Sequence, residues 1–146
     1  MTQEERNRKV DWLNRARGAE RLANAYVEIL ERDRETAQKL TRVISDMPRS
    51  NKNENSTENA LIRFTETSML VQQALGDLLK VRDEITRAIK KIDDTDLQAI
   101  LTLRYLCYMT VEQTAETMCY DRATIGRKLN SALEILEIPE IAPECT

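Results

Sequence analysis

Histidine is absent from this 146-residue chain, which removes the commonest general base and the commonest metal ligand. No glycine-rich phosphate loop, G-x-S-x-G elbow or cysteine cluster stands anywhere in it. The acid pairs Glu4/Glu5 and Asp93/Asp94 fall at expected helix ends, where carboxylates favour the positive dipole or simply solvate. The chain is therefore not expected to be an enzyme, and neither a cofactor nor a metal is expected. Aromatic residues make up only 4%, with 3 Gly and 3 Pro, against 32% charged and 41% hydrophobic residues. So few aromatics and breakers argue against a sheet protein and for long, charge-laced helices. Cys107, Cys119 and Cys145, an odd number with no C-x-x-C pair, read as reduced packing or surface thiols. No apolar run approaches the roughly 20 residues of a membrane span. The opening MTQEERNRKV is too charged for a secretion signal. The expectation is a soluble, cytoplasmic protein with no membrane partner.

What is present is helical periodicity. From about Glu4 to Asp46 there is no Pro, and the one Gly is Gly18. Leu22, Tyr26, Ile29, Asp33, Thr36, Leu40, Val43 and Met47 recur in alternating steps of 4 and 3, the seam of a coiled coil. Trp12, Leu13, Ala16 and Ala19 extend the stripe toward the start, and Asp33 and Thr36 weaken the seam or fix its register. Residues 48–57, PRSNKNENST, hold a Pro, several Asn and Ser breakers and no apolar residue, so a loop is expected. It is either a solvated turn or a place where Arg49 and Lys52 touch a phosphate or an acidic partner. Asn55 with Glu58, or Ser56 with Asn59, would cap the second long helix. Leu61, Phe64, Ser68, Val71, Leu75, Leu78, Arg82, Ile85, Ile89 and Ile92 then alternate in steps of 3 and 4.

Two such helices fold back as an antiparallel hairpin, each of roughly 35–40 residues and about 55 Å long. Ala37, Ile44, Ala74, Leu79 and Ala88 widen the apolar stripe beyond one seam. The surplus implies a homodimer with a four-helix core, a partner protein, or a hairpin folding onto its own C-terminal module.

That module begins at Asp93-Asp94-Thr95-Asp96. Thr95 with Gln98 has capping-box spacing, opening a helix with Leu97, Ile100, Leu101, Leu103 and Leu106. Thr110 with Gln113 repeats the spacing ahead of a helix whose apolar face is Val111, Thr114, Ala115 and Met118. Cys119 and Tyr120 interrupt it. Asp121 is a good N-cap for a further helix that would bury Ile125, Leu129, Ala132, Leu133 and Leu136. Two helices joined by a turn of about three or four residues match the helix-turn-helix plan.

Any small bundle contains capped helices and short turns, so geometry alone does not make a nucleic-acid reader. The exposed start of the last helix does more: Arg122, Ala123, Thr124, Arg127 and Lys128 are expected to point outward. Arg and Lys suit base edges and phosphates, and small residues let the backbone approach a groove. Gly126 costs about 1 kcal/mol of helix propensity relative to Ala, which hints at close approach by something. Pro139 and Pro143 end helical structure, and Ile138 and Ile141 could tuck onto the module.

The predicted class is thus all-α. Residues 1–92 form a long antiparallel helical hairpin (loop 48–57), residues 93–138 a three-helix helix-turn-helix module, and residues 139–146 a tail.

The stretch LTLRYLCYMTVEQTAETMCYDRATIGRKLNSALEIL resembles sigma-70-type region 4. It has a helix ending in LRY, a T-x-E-x-x-A helix, a turn, and an R-x-x-[VI]-x-R helix. More closely, the chain resembles small phage-encoded region-4-like proteins related to the ArpU/RinA-type late-transcription regulators. In those a long helical half with a Met-Pro-Arg-Ser loop precedes the helix-turn-helix, and Met47-Pro48-Arg49-Ser50 stands at that place. The chain departs at Cys119, where the pattern has Gly, and at Gly126 and Leu129, where bulkier or polar residues are common.

The resemblance implies a phage-type transcription regulator in a bacterial host, binding double-stranded DNA. The expected contacts are Arg122, Ala123, Thr124, Arg127 and Lys128, with Arg104 as the remaining local cation. Residues 95–146 nevertheless hold 4 Lys+Arg against 8 Asp+Glu, and non-specific DNA affinity needs several phosphate-facing cations. A lone module is expected to bind weakly and to depend on dimerisation or a partner. The acidic balance also motivates an alternative, an RNA polymerase-binding adaptor with little DNA affinity. A third reading is a terminase-type DNA-packaging recognition subunit, which would assemble as a ring.

Overall fold

A computed structural model describes residues 1–46 and 51–139, the side chains of 43–46 and 51–54 excepted. The chain is all-α. Five helices stand among the described residues: α1 (Gln3–Asp46), α2 (Asn51–Lys90), α3 (Thr95–Tyr105), α4 (Val111–Met118) and α5 (Arg122–Ile135). The first two form the antiparallel hairpin and the last three the small module. Two compact units result, one of Ala19–Leu79 and one of Met1–Gly18 with Lys80–Thr146. These units are drawn differently from the chain-order division at residues 92 and 93. None of the described helices is long and apolar enough to cross a membrane.

In the unit of residues 19–79 the covered positions of α1 include Ala19, Ala23, Tyr26, Leu30, Asp33, Ala37 and Leu40. Those of α2 include Ala60, Phe64, Thr67, Ser68, Val71, Ala74 and Leu78. Every second expected seam position therefore holds: Tyr26, Asp33 and Leu40, and Phe64, Val71 and Leu78. The intervening ones move by one residue, so that Ala23, Leu30 and Ala37 replace Leu22, Ile29 and Thr36. Likewise Ala60 and Ala74 replace Leu61 and Leu75, while Thr67 is buried beside Ser68, which stays half-buried. Alanines let two helix backbones approach closely, and the stripe centred on them wins the interface over the bulkier one beside it. Leu22, Ile29, Leu61 and Leu75 are left 51%, 47%, 52% and 43% exposed. Asp33 does sit in the seam, where the buried Thr67 hydroxyl donates to its Oδ2 at 2.7 Å. The same hydroxyl lies 2.9 Å from the Arg63 carbonyl one turn back, so it has an acceptor on its own helix as well.

The loop expected over 48–57 is shorter than predicted, because α2 already begins at Asn51. Residues 51–57 contain neither Pro nor Gly, and extending a nucleated helix adds a hydrogen bond for each residue fixed. Asn55 and Ser56 consequently lie inside α2 and not at its cap. Met47–Ser50, the motif of the resemblance, and the tail residues 140–146, with Ile141, Pro143 and Cys145, lie outside the described residues.

The second unit is built on one core to which all five helices contribute. Trp12, Leu13 and Ala16 of α1 meet Ile85, Ala88 and Ile89 of α2 and Ile92 just beyond it. Leu97, Ile100, Leu101 and Tyr105 of α3, Ala115 of α4 and Ile125, Leu129, Ala132 and Leu133 of α5 complete it, with Leu106 and Leu136 at the helix ends. Of the positions expected to widen the apolar stripe, Ala88 lies in this core, whereas Leu79 is left exposed. Ile138 packs against this core as expected. The cap of α3 is Asp94 and not Thr95: its side chain accepts from the Asp96 and Leu97 N–H groups. Asp94 stands one residue earlier and satisfies two orphan donors, while the Gln98 side chain donates to the Ile92 carbonyl.

Candidate nucleic-acid interface

Thr110 caps α4 as a complete capping box: its hydroxyl accepts from the Gln113 N–H, and the Gln113 side chain accepts from the Thr110 N–H. Thr114 and Ala115 are buried, with Val111 and Met118 packed beside the core. The turn is made by Cys119, which closes α4 in the left-handed conformation at φ 61°, ψ 36°. This is the conformation that Gly adopts without a steric penalty and that costs other residues about 1–2 kcal/mol. Cysteine at this position therefore carries strain that glycine would not.

Asp121 then caps α5, accepting from the Thr124 N–H at 3.2 Å. The Thr124 hydroxyl and N–H beside it hold the Asp121 carboxyl below its usual range. Ile125, Leu129, Ala132 and Leu133 face the core. The flank of α5 beside that face, with Arg122, Ala123, Gly126, Arg127, Leu129 and Asn130, lines an open cleft together with Val111 of α4 and Arg6 of α1.

Of the expected site residues, Arg122, Ala123 and Arg127 come together on this cleft and are exposed. Thr124 is half-buried, its hydroxyl 3.5 Å from Arg127 Nη2. The expected outward set narrows at two positions. Lys128 is half-buried, with Nζ 3.7 Å from Asp96 Oδ2 and 5.2 Å from the centre of the Tyr120 ring. Tyr120 in turn donates its hydroxyl to Asp96 at 2.7 Å, which pushes the phenol above its ordinary range. Lys128 thus ties α5 to α3 through an aromatic contact and an ion pair. Arg104 lies over the Tyr105 ring and donates from Nη1 to the Met109 carbonyl, bracing the connection between α3 and α4.

Arg122 is ion-paired with Glu112 at 3.2 Å, both side chains being largely exposed. Exposed pairs of this kind contribute little, so Arg122 can part from Glu112 at little cost. The Glu112 carboxyl is held below its usual range first by its own backbone N–H and then by Arg122.

Gly126 has no internal reason to be glycine. A Cβ built on it meets nothing within 4 Å, and its φ is not positive. The residue costs α5 propensity and returns no packing within the chain.

Two cleft residues escape a reading of the sequence pattern. Asn130 stands one turn beyond Gly126 and Arg127, so helical spacing alone could have added it. Arg6 could not be found that way, because it lies more than a hundred residues away and reaches the cleft only through the shared core.

A family model described as "Protein of unknown function (DUF1492)" matches residues 53–137, more than half of the chain. No curated protein and no solved structure matches the chain.

Proposed function

We propose that this chain, which belongs to the DUF1492 family, is a DNA-binding transcription regulator of phage type. It reads promoter DNA with the exposed face of α5 and oligomerises through its hairpin. The observation that carries the reading is the α5 cleft, where arginines flank two small residues and Gly126 is left uncovered. Arginine forks suit guanine edges and phosphates, and a helix of small residues at its leading end enters a major groove closely. The dimer part of the reading rests on the 19–79 unit, where Leu61, Met69, Leu75 and Leu79 of α2 are 52%, 66%, 43% and 67% exposed. Exposed apolar surface on this scale marks an interaction surface, and a second copy would bring a second reading module.

The RNA polymerase adaptor remains the second reading. Arg122 and Lys128 are each already paired with a carboxylate, which leaves the module fewer cations for DNA.

Gly126→Gln separates the two uses of this glycine. Helix propensity should hold the protein at least as stable, with a gain of roughly 0.5 kcal/mol, measured by thermal denaturation. DNA affinity, measured by fluorescence anisotropy on a duplex enriched from a random library, should fall about tenfold or more as the new side chain blocks approach. A variant that binds as tightly as wild type would remove the cleft from the DNA site.

A further inference from the structure

We infer that Arg6 is a DNA phosphate-binding residue, supplied to the recognition face by the start of α1 and positioned by Asn130. The inference rests on the DNA-binding reading of α5 and adds a contact from a helix that lies outside the helix-turn-helix. Arg6 lines the same cleft as Arg122 and Arg127, and its Nε donates to the Asn130 Oδ1 at 3.2 Å.

Its placement is fixed from below. Lys9, one turn on, donates from Nζ to the carbonyls of Leu133 and Glu134 at 2.8 and 3.3 Å. That contact satisfies the orphan acceptors at the end of α5 and places a positive charge at its negative end. Trp12 and Leu13, the next turn again, are buried in the common core. The backbone that carries Arg6 is thus anchored to the recognition helix itself.

The charges within the cleft are consistent with that role. Arg15, Arg87, Arg122 and Lys128 all have carboxylate partners. Of the three arginines that line the cleft, Arg122 is ion-paired with Glu112, whereas Arg6 and Arg127 are in no ion pair among the described residues. A guanidinium carries five N–H donors in a planar fork. With Nε given to a neutral amide, the terminal groups of Arg6 keep the geometry that binds a phosphate in two places. From Arg122 to Asn130 the helix rises about 12 Å, comparable with the width of a major groove. Arg6 at the Asn130 end therefore lies where the phosphates that border the groove run, beyond the turn that carries Arg122 and Arg127. Phosphate contacts fix register and carry no sequence information.

The test is the salt dependence of binding by the full chain, measured by anisotropy on two labelled duplexes. One is enriched from a random library against the wild-type protein, and the other has its scrambled sequence. Arg6→Gln should weaken both complexes severalfold and by similar factors, and should reduce the slope of log K against log salt by about 1. Arg6→Lys, which keeps the charge, should restore most of the slope; a residue needed only to support Asn130 would not be rescued by charge. Arg8→Gln removes a cation from the same helix that lines no part of this cleft, and it should leave the slope unchanged. An unchanged slope for Arg6→Gln, while Arg127→Ala still loses affinity, overturns the assignment of Arg6. Full affinity in both variants rejects the DNA-reading face itself.

Discussion

Leu13→Ala is expected to destabilise the protein by about 2–5 kcal/mol, although Leu13 lies far from the C-terminal module in sequence. The side chain is fully buried in a core shared with Ile100, Ile125 and Leu133. Truncation there loses the transfer free energy of the removed carbons and leaves a cavity that close-packed neighbours cannot fill. For a chain with an ordinary stability of about 5–15 kcal/mol, the loss is a large fraction of the total. Urea denaturation measures it, and amide hydrogen exchange locates it: protection should fall in α3 and α5 as well as in α1. Leu22→Ala is the matched control, since Leu22 is 51% exposed; its effect should stay within about 0.5 kcal/mol. If Leu13→Ala were equally silent, the start of α1 would not belong to the module's core, and the placement of Arg6 would fall with it.

Arg127→Ala is expected to cost about 1–3 kcal/mol of DNA-binding free energy and to relax preference at the base it reads. Its guanidinium is exposed on the cleft and meets only the Thr124 hydroxyl among its described partners. Little intramolecular interaction must be broken before it binds. The fold should not suffer, because the side chain contributes no core contact; circular dichroism and the melting temperature should match wild type. Competition anisotropy against duplexes altered one base pair at a time reads both effects. A uniform loss on every duplex would make Arg127 a phosphate contact, and an unchanged affinity would take it out of the interface.

The small module was the most legible part of the chain because its signals are local. Thr110 with Gln113 and Asp121 before Arg122 are caps whose hydrogen bonds close within a few residues. The apolar face of α5 is set by spacing alone. At α3 the same reasoning chose Thr95 where Asp94 stands one position earlier, since two adjacent capping residues differ only in which orphan N–H groups they reach. The long helices were legible as helices but not in their facing.

Each long helix carries two apolar stripes one residue apart. The pattern favoured leucine and isoleucine, whereas close approach favoured Ala23, Ala37, Ala60 and Ala74. At the candidate site, Arg122, Ala123 and Arg127 could be placed by helical spacing. The turning of Lys128 toward Asp96, the withdrawal of Arg104 to the Met109 carbonyl and the arrival of Arg6 all depend on tertiary packing. None of the three leaves a trace in local periodicity.

Equilibrium binding of the 146-residue chain to its enriched duplex and to the scrambled sequence, at two salt concentrations, tests the central claim most directly. The account predicts tighter binding to the enriched duplex, with affinity for both falling steeply as salt rises, because cations on the α5 face displace counterions. Equal or absent binding to the two duplexes would contradict a sequence reader, and co-purification with RNA polymerase would then assign the module to protein recognition.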